Sequence, residues 1–410
     1  MLHRRDFLKT SGLIGLGTAA PFFLTRTAFA AGNAAEPGKK DTVLVMLQLT
    51  GGNDGLNTVI PFKDELYEKY RPTLKVAKDQ VKKVNDSLGL HPAMDAFAKL
   101  LEKQALCIVQ GVGYPNPSQS HFRSMDIWQA ASTAENLSEG WIGKALKSAK
   151  GPAFHVTATN EPAPLALAGA PVRAPSIASL DDFQLKTAAI TGADQRQQKS
   201  LIEGAASGSS QSPGMLDVVK KTAESTYASS KRLQEIGKNY QPKSTYPQTG
   251  LANRLKLAAQ LIDADLGSRV FYVTIDGFDT HSGQGAATGA HANLLREVSD
   301  AVSTFYLDLE ARGHGERVLI ATFSEFGRRA KENGSRGTDH GSAAPMFLVG
   351  GKVAAGVVGE HPSLDKLAMG NLKHAIDFRS VYAAILDGWL GVNAAEVLGS
   401  KFEPAKLFKV

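Results

Sequence analysis

Cysteine is almost missing from this chain: Cys107 is the single one in 410 residues, so no internal disulfide can form. It sits in the apolar run ALCIV and reads as a small core residue. Charge of one sign is also scarce. The net charge is +6, and Arg4, Arg5, Lys9 and Arg26 against Asp6 supply half of it within the first thirty residues. What remains is too weak and too dispersed for a nucleic-acid partner. Long apolar runs are missing beyond the leader, so the mature chain has no transmembrane span. What is present is an ordinary globular balance, 43% hydrophobic and 21% charged, with ample material for a core.

Residues 1–30 read as an export signal. HRRDFLK is similar to the twin-arginine motif, with Arg4, Arg5, Phe7 and Leu8 in place. The segment Ser11 to Leu24 is apolar, but too short and Gly-rich for a membrane span. Ala28-Phe29-Ala30 gives the small-x-small pattern of a signal peptidase site. The competing reading is an anchor that is never cleaved. Export predicts a periplasmic or secreted protein and the twin-arginine machinery as a partner. That route carries folded chains, which suits one that acquires its metal before leaving the cytoplasm. Residues 31–40 are a polar linker.

Beyond it, strands alternate with helices and end in acids. Thr42–Leu49 is a buried-strand pattern that breaks at Gly51-Gly52-Asn53-Asp54-Gly55 and leaves Asp54 at the strand end. FYVTIDGFDTH, Phe271–His281, puts Asp276, Asp279 and His281 after a second strand. Arg317–Phe323 leads into Ser324-Glu325-Phe326-Gly327-Arg328-Arg329. A Gly-rich loop then brings Asp339 and His340 before the strand MFLVGG. Ala105–Gly111 is a further buried strand. It runs into PSQSHFRSMD, where Ser118 and Ser120 stand near a helix start. A serine there either caps the helix or attacks a phosphoryl or sulfuryl group held by the helix dipole, with His121 and Arg123 assisting. Helices are expected over most of 64–104, with a turn from Asp86 to His91 between them and a structural His91. Helices are also expected over 215–236, over 251–266 and up to Arg312, with His291 either facing the site or, the preferred reading, an ordinary exposed helix position. Residues 151–250, rich in Pro, Ala and Ser, read as an irregular insertion that partly covers the site.

In open α/β sheets ligands bind beyond the C-terminal strand ends. Carboxylates gathered there repel one another unless a cation joins them. Hard oxygen and imidazole donors point to a divalent metal: zinc, calcium, magnesium or manganese. Taken singly, each stretch also fits a capped turn or a solvated histidine.

Taken together, the leader, LTGGNDGLNTVIP, PSQSHF, GFDTH, TFSEFGRR and TDHG in this order resemble the DUF1501 family of exported bacterial proteins, grouped with the alkaline phosphatase-like superfamily of sulfatases and phosphatases. The resemblance covers nearly all of the mature chain. It implies a single α/β domain over 31–410, with a mostly parallel sheet sandwiched by helices. It implies metal on the C-terminal sheet edge, with Asp54, Asp279, His281, Glu325 and His340 as ligands and Asp276 a rival to Asp279. Ser118 or Ser120 falls where the nucleophile stands. One departure is Phe326, where the usual turn has a histidine, so a second metal would lack a nitrogen ligand. The function implied is metal-dependent hydrolysis of phosphate or sulfate esters. The alternative is a non-catalytic envelope protein binding metal or an anion on the same fold.

Overall fold

The computed structural model describes residues 41–180 and 233–409, apart from 160 and 234. The chain divides into two compact units. One comprises Lys40–Ser176 with Gln241–Val410 and contains every element discussed below. The other, Met1–Lys39 with Ile177–Tyr240, falls mostly outside the described residues, as do the leader and nearly all of the helix expected over 215–236.

The strands in chain order are β1 (Val43–Leu49), β2 (Val59–Ile60), β3 (Lys82–Lys83), β4 (Gly89–Leu90), β5 (Leu106–Gly113), β6 (Ala153–Val156), β7 (Ser176–Ile177), β8 (Val270–Ile275), β9 (Val318–Phe323), β10 (Ala344–Val349), β11 (Gly356–Val358) and β12 (Ile376–Asp377). The helices are α1 (Gly55–Thr58), α2 (Glu65–Tyr70), α3 (Asp95–Glu102), α4 (His121–Ala130), α5 (Trp141–Ala149), α6 (Gly250–Asp263), α7 (Ala290–Ala311), α8 (Phe378–Ile385) and α9 (Ala394–Leu398). Nine strands form one sheet in the order β11-β5-β10-β9-β1-β8-β6-β7, with β12 beside β5. β1 pairs in parallel with both β8 and β9, and β6 in parallel with β8. Among the described residues, β10 is a strand of this sheet that runs against its neighbours, β9 and β5. β5 therefore points the same way as β1, β8 and β9. The mostly parallel α/β sheet expected from the sequence is present.

Runs such as VLVMLQL and VLIATF are buried along their whole length, as strands covered on both faces must be. Alternation sends Leu44, Met46, Tyr272, Leu319 and Ala321 into one cluster with Trp128, Trp141, Tyr382 and Trp389. Trp128 stacks between Phe323 and Phe378, at 5.6 and 4.3 Å between ring centres. The other layer is made by α3, α6 and α7, which pack on one another and on β5, β8 and β9.

Two expectations are corrected here. Only α2 and α3 are helical within 64–104; between them β3 and β4 pair antiparallel, and β2 pairs with β4. The turn chemistry explains it. Asn85 Oδ1 accepts the backbone N–H of Ser87 and Leu88 and closes a hairpin, so the turn expected near Asp86 joins two strands and not two helices. Likewise the insertion does not begin at 151, because β6 is an integral strand of the large sheet.

Candidate metal centre

Parallel strands fix where the candidate residues go. β1, β5, β8 and β9 all end at one edge, and the antiparallel β10 begins there. The turns after four strands and the turn before the fifth therefore meet. At Gly51 φ is +120°, and a Cβ would stand 2.3 Å from the Asp279 backbone nitrogen. Only glycine lets the β1 and β8 turns touch.

Three imidazoles surround Asp279. His281 Nε2 lies 3.2 Å and His340 Nε2 3.3 Å from Asp279 Oδ1, and His121 Nε2 lies 3.5 Å from Oδ2. One donor atom each from His121, Asp279 and His340 falls within 4.8 Å of the others. The far nitrogen of every ring is also occupied. His121 Nδ1 is 2.8 Å from Glu325 Oε1, His340 Nδ1 is 2.8 Å from the Gln119 carbonyl, and His281 Nδ1 is 3.5 Å from Asp339 Oδ1. A carbonyl only accepts, so the neutral His340 ring carries its hydrogen on Nδ1 and keeps a lone pair on Nε2. Yet His281 Nε2 and His340 Nε2 are 2.8 Å apart. Either His281 Nε2 donates across that gap to the His340 lone pair, or both nitrogens face a cation. His121, Asp279 and His340 form a group that could hold a metal ion, and His281 stands beside it. Three nitrogens and one oxygen suit zinc better than calcium or magnesium, which take oxygen.

Arg328 holds the turns together from beneath. Its guanidinium is fully buried and donates to the carbonyls of Gly51, Gly52, Phe278 and Thr338 and, at 2.6 Å, to Asp279 Oδ1. Partial burial pushes the Asp279 carboxyl up, but Arg328 and the neighbouring histidines outweigh it and hold it below the ordinary range. Asp279 is thus an anion ready for a cation. Burial pushes the His340 imidazole down, which favours the neutral, ligating form.

The remaining candidates divide. Glu325 is buried and accepts the Gly51 and Gly52 N–H groups, the Ser324 hydroxyl and His121. It holds the His121 ring and does not face the centre. Asp54 is fully buried in a two-pronged ion pair with Arg71, at 2.5 and 2.9 Å, and accepts Gln284 Nε2 at 2.6 Å. Burial raises its carboxyl and Arg71 more than compensates, leaving it at about 2. Its oxygens are engaged by protein donors, and it is not among the groups around Asp279. Asp276 is exposed and also stands apart. Phe326 is buried, with ring centres 4.9 Å from His121 and 4.6 Å from His340. It forms an apolar wall behind the His121 and His340 rings.

Ser120 is the N-cap of α4, but its side chain makes no capping bond. Ser118 Oγ accepts the Ser120 N–H at 3.3 Å. Arg123 turns away and donates to the Thr133 and Ala134 carbonyls. His91 is structural: Nδ1 accepts the Ala93 N–H, and Nε2 donates to the Ala286 carbonyl. His291, expected exposed, is fully buried and donates to Asn53 Oδ1, with burial lowering its imidazole to about 4. Arg71, Gln284 and Arg328 carried no sequence signal of their own, because an arginine pattern does not show which carboxylate will be brought to it.

The family model described as "Protein of unknown function (DUF1501)" matches residues 41–398. No curated protein matches the chain. Among solved structures, Ps i-CgsB is similar at 11% identity and a TM-score of 0.38, over 89% of this chain and 73% of that one. The PsFucS1 sulfatase from Pseudoalteromonas sp. is similar at 12% and 0.36, over 92% and 72%. The C-terminal periplasmic domain of EcEptC from Escherichia coli, in complex with Zn, is similar at 12% and 0.35, over 77% and 74%.

Proposed function

Starting from a chain that belongs to the DUF1501 family, we propose that it is an exported, metal-dependent hydrolase of phosphate or sulfate esters. The convergence of His121, His281 and His340 Nε2 on Asp279 carries this assignment. A divalent metal held there supplies Lewis-acid polarisation of an ester oxygen and charge for an anion. The chain does the rest. Glu325, Asp339 and the Gln119 carbonyl hold the three rings in one tautomer. Arg328 fixes the Asp279 carboxylate, and Phe326 keeps water from the back of two rings. The N-terminus of α4 turns its free N–H groups and positive dipole end toward an anionic substrate. Ser120, whose side chain caps nothing beside His121, serves as the nucleophile in this reading.

Elemental analysis of protein purified without chelators, with turnover of aryl phosphates and aryl sulfates, tests this. One bound metal and metal-dependent turnover are expected. Metal-free, inert protein would end the proposal. A second reading, a metal- or anion-binding envelope protein without turnover, has one observation in its favour. Among the described residues, neither the Ser118 nor the Ser120 hydroxyl is bonded to an imidazole or carboxylate that could serve as its base. Stoichiometric metal without turnover of either ester would select it.

Export belongs to the same proposal. Among the described residues no helix is long and apolar enough to cross a membrane. Replacing Arg4 and Arg5 together by Lys is expected to leave precursor in the cytoplasm, read by fractionation and immunoblotting. An undiminished periplasmic yield would remove the twin-arginine route.

A further inference from the structure

The loop before His340 is tied to the turn bearing His281 by one side chain. Both hydrogens of the Asn333 amide are used: Nδ2 donates to the His281 carbonyl at 2.9 Å and to Asp339 Oδ1 at 2.9 Å. Its Oδ1 accepts the N–H groups of Ser335 and Gly337, which folds residues 333–337 into a closed turn. That turn lies hard against the other. A Cβ on Gly337 would stand 2.2 Å from the His281 carbonyl carbon, and the backbone pairs Gly283 with Ser335, Gln284 with Arg336 and Thr338 with Thr280. Asp339 in turn faces His281 Nδ1, and His281 Nε2 faces Asp279 and His340.

We infer that Asn333 is a positioning residue for the metal centre, setting the rotamer and tautomer of His281 through Asp339 and the place of its backbone through the carbonyl bond. This rests on the metal proposed above. The chemistry follows from the donor count. Asp339 has a carboxylate that can rotate, and the Asn333 N–H holds one oxygen so that it stays turned to His281 Nδ1. Without that donor the carboxylate swings to solvent, His281 loses its acceptor, and its hydrogen can move to Nε2, where it blocks ligation. Outer partners of metal-bound histidines act this way and typically change affinity 10- to 100-fold. No other described side chain bonds both the His281 turn and Asp339.

The test separates the two halves of the amide. Asn333→Asp keeps oxygens to accept from Ser335 and Gly337, so the closed turn is retained, but it removes both donors and sets a carboxylate against Asp339. Asn333→Ala removes everything. Zinc affinity is measured on the full mature protein, stripped and then titrated in competition with a chromophoric chelator, with thermal melting of the stripped protein alongside. The expected result is a 10- to 100-fold loss of zinc affinity in Asn333→Asp, with stripped protein melting close to wild type. Nitrogen-15 spectra of the imidazoles should show the His281 tautomer mixed in the variant and single in the wild type. Zinc affinity within about threefold of wild type, with an unchanged His281 tautomer, would overturn the inference. So would a variant whose melting falls while its folded fraction still binds zinc normally, since that is a purely structural role. Wild-type protein that takes up no zinc would instead remove the metal centre itself.

Discussion

Asp279→Ala is expected to abolish tight metal binding and any ester turnover, while Asp276→Asn leaves both unchanged. Asp279 is the one carboxylate that all three Nε2 atoms approach, and Asp276 is exposed and outside the group. Without the carboxylate, three neutral imidazoles remain with no anion to balance a dication. Arg328 then becomes the nearest uncompensated charge and repels one. The loss should exceed the roughly 100-fold at which outer partners act, because a direct ligand and its charge are removed together. Asp279→Asn, similar in shape but neutral, should lose nearly as much, which assigns the effect to charge. Competition titration with zinc and a parallel assay on aryl esters measure both. Equal stoichiometry and affinity in Asp279→Ala and wild type would show that the metal, if bound, lies elsewhere.

The second large effect concerns the fold beneath the centre. Asp54→Ala should destabilise the protein by about 3–5 kcal/mol, since it leaves the Arg71 guanidinium buried with only the Ala330 and Arg329 carbonyls as partners. Asp54→Ala combined with Arg71→Met should recover much of that loss, because the cost comes from the stranded charge. The same pair predicts acid sensitivity. Asp54 sits at about 2 in the folded protein against 3.8 ordinarily. Its contribution, about 2 kcal/mol, is therefore complete above pH 3.8 and is lost as pH falls through about 2. His291 adds an earlier window. Its imidazole is held neutral to about 4 against 6.5, so unfolding gains a proton first and stability drains between those values. Denaturant midpoints across pH 7 to 2 read both windows. A flat profile in wild type, or an Asp54→Ala midpoint equal to wild type, would contradict this account of the buried pair.

The layout was partly legible before any coordinates. Buried runs such as VLVMLQL, separated by helical stretches, dictate a covered parallel sheet, because a strand apolar on both faces must be sandwiched. Glycine-rich, acid-bearing breaks at their ends marked Asp279, His281 and His340 as candidate donors, whereas PSQSHF marked His121 only as a helper in holding an anion. What the sequence could not decide is which carboxylates face a cation and which face an arginine. Asp54, Asp279 and Glu325 all follow strands in similar motifs. Asp54 meets Arg71 from a turn after α2, Glu325 meets backbone N–H groups and His121, and only Asp279 meets three imidazole Nε2 atoms. Those partners lie from 17 to more than 200 residues away in the chain, so nothing local distinguishes the acids. The same holds for His291, whose helical spacing fits exposure until Asn53 is folded onto it. Sequence alone determined the central strands β1, β5, β8 and β9, their ends and the supply of candidate donor groups. Tertiary structure, through the antiparallel β10 and the Arg328 clamp, decided which of those groups share a site, because pairing a buried charge depends on what the rest of the chain delivers to it.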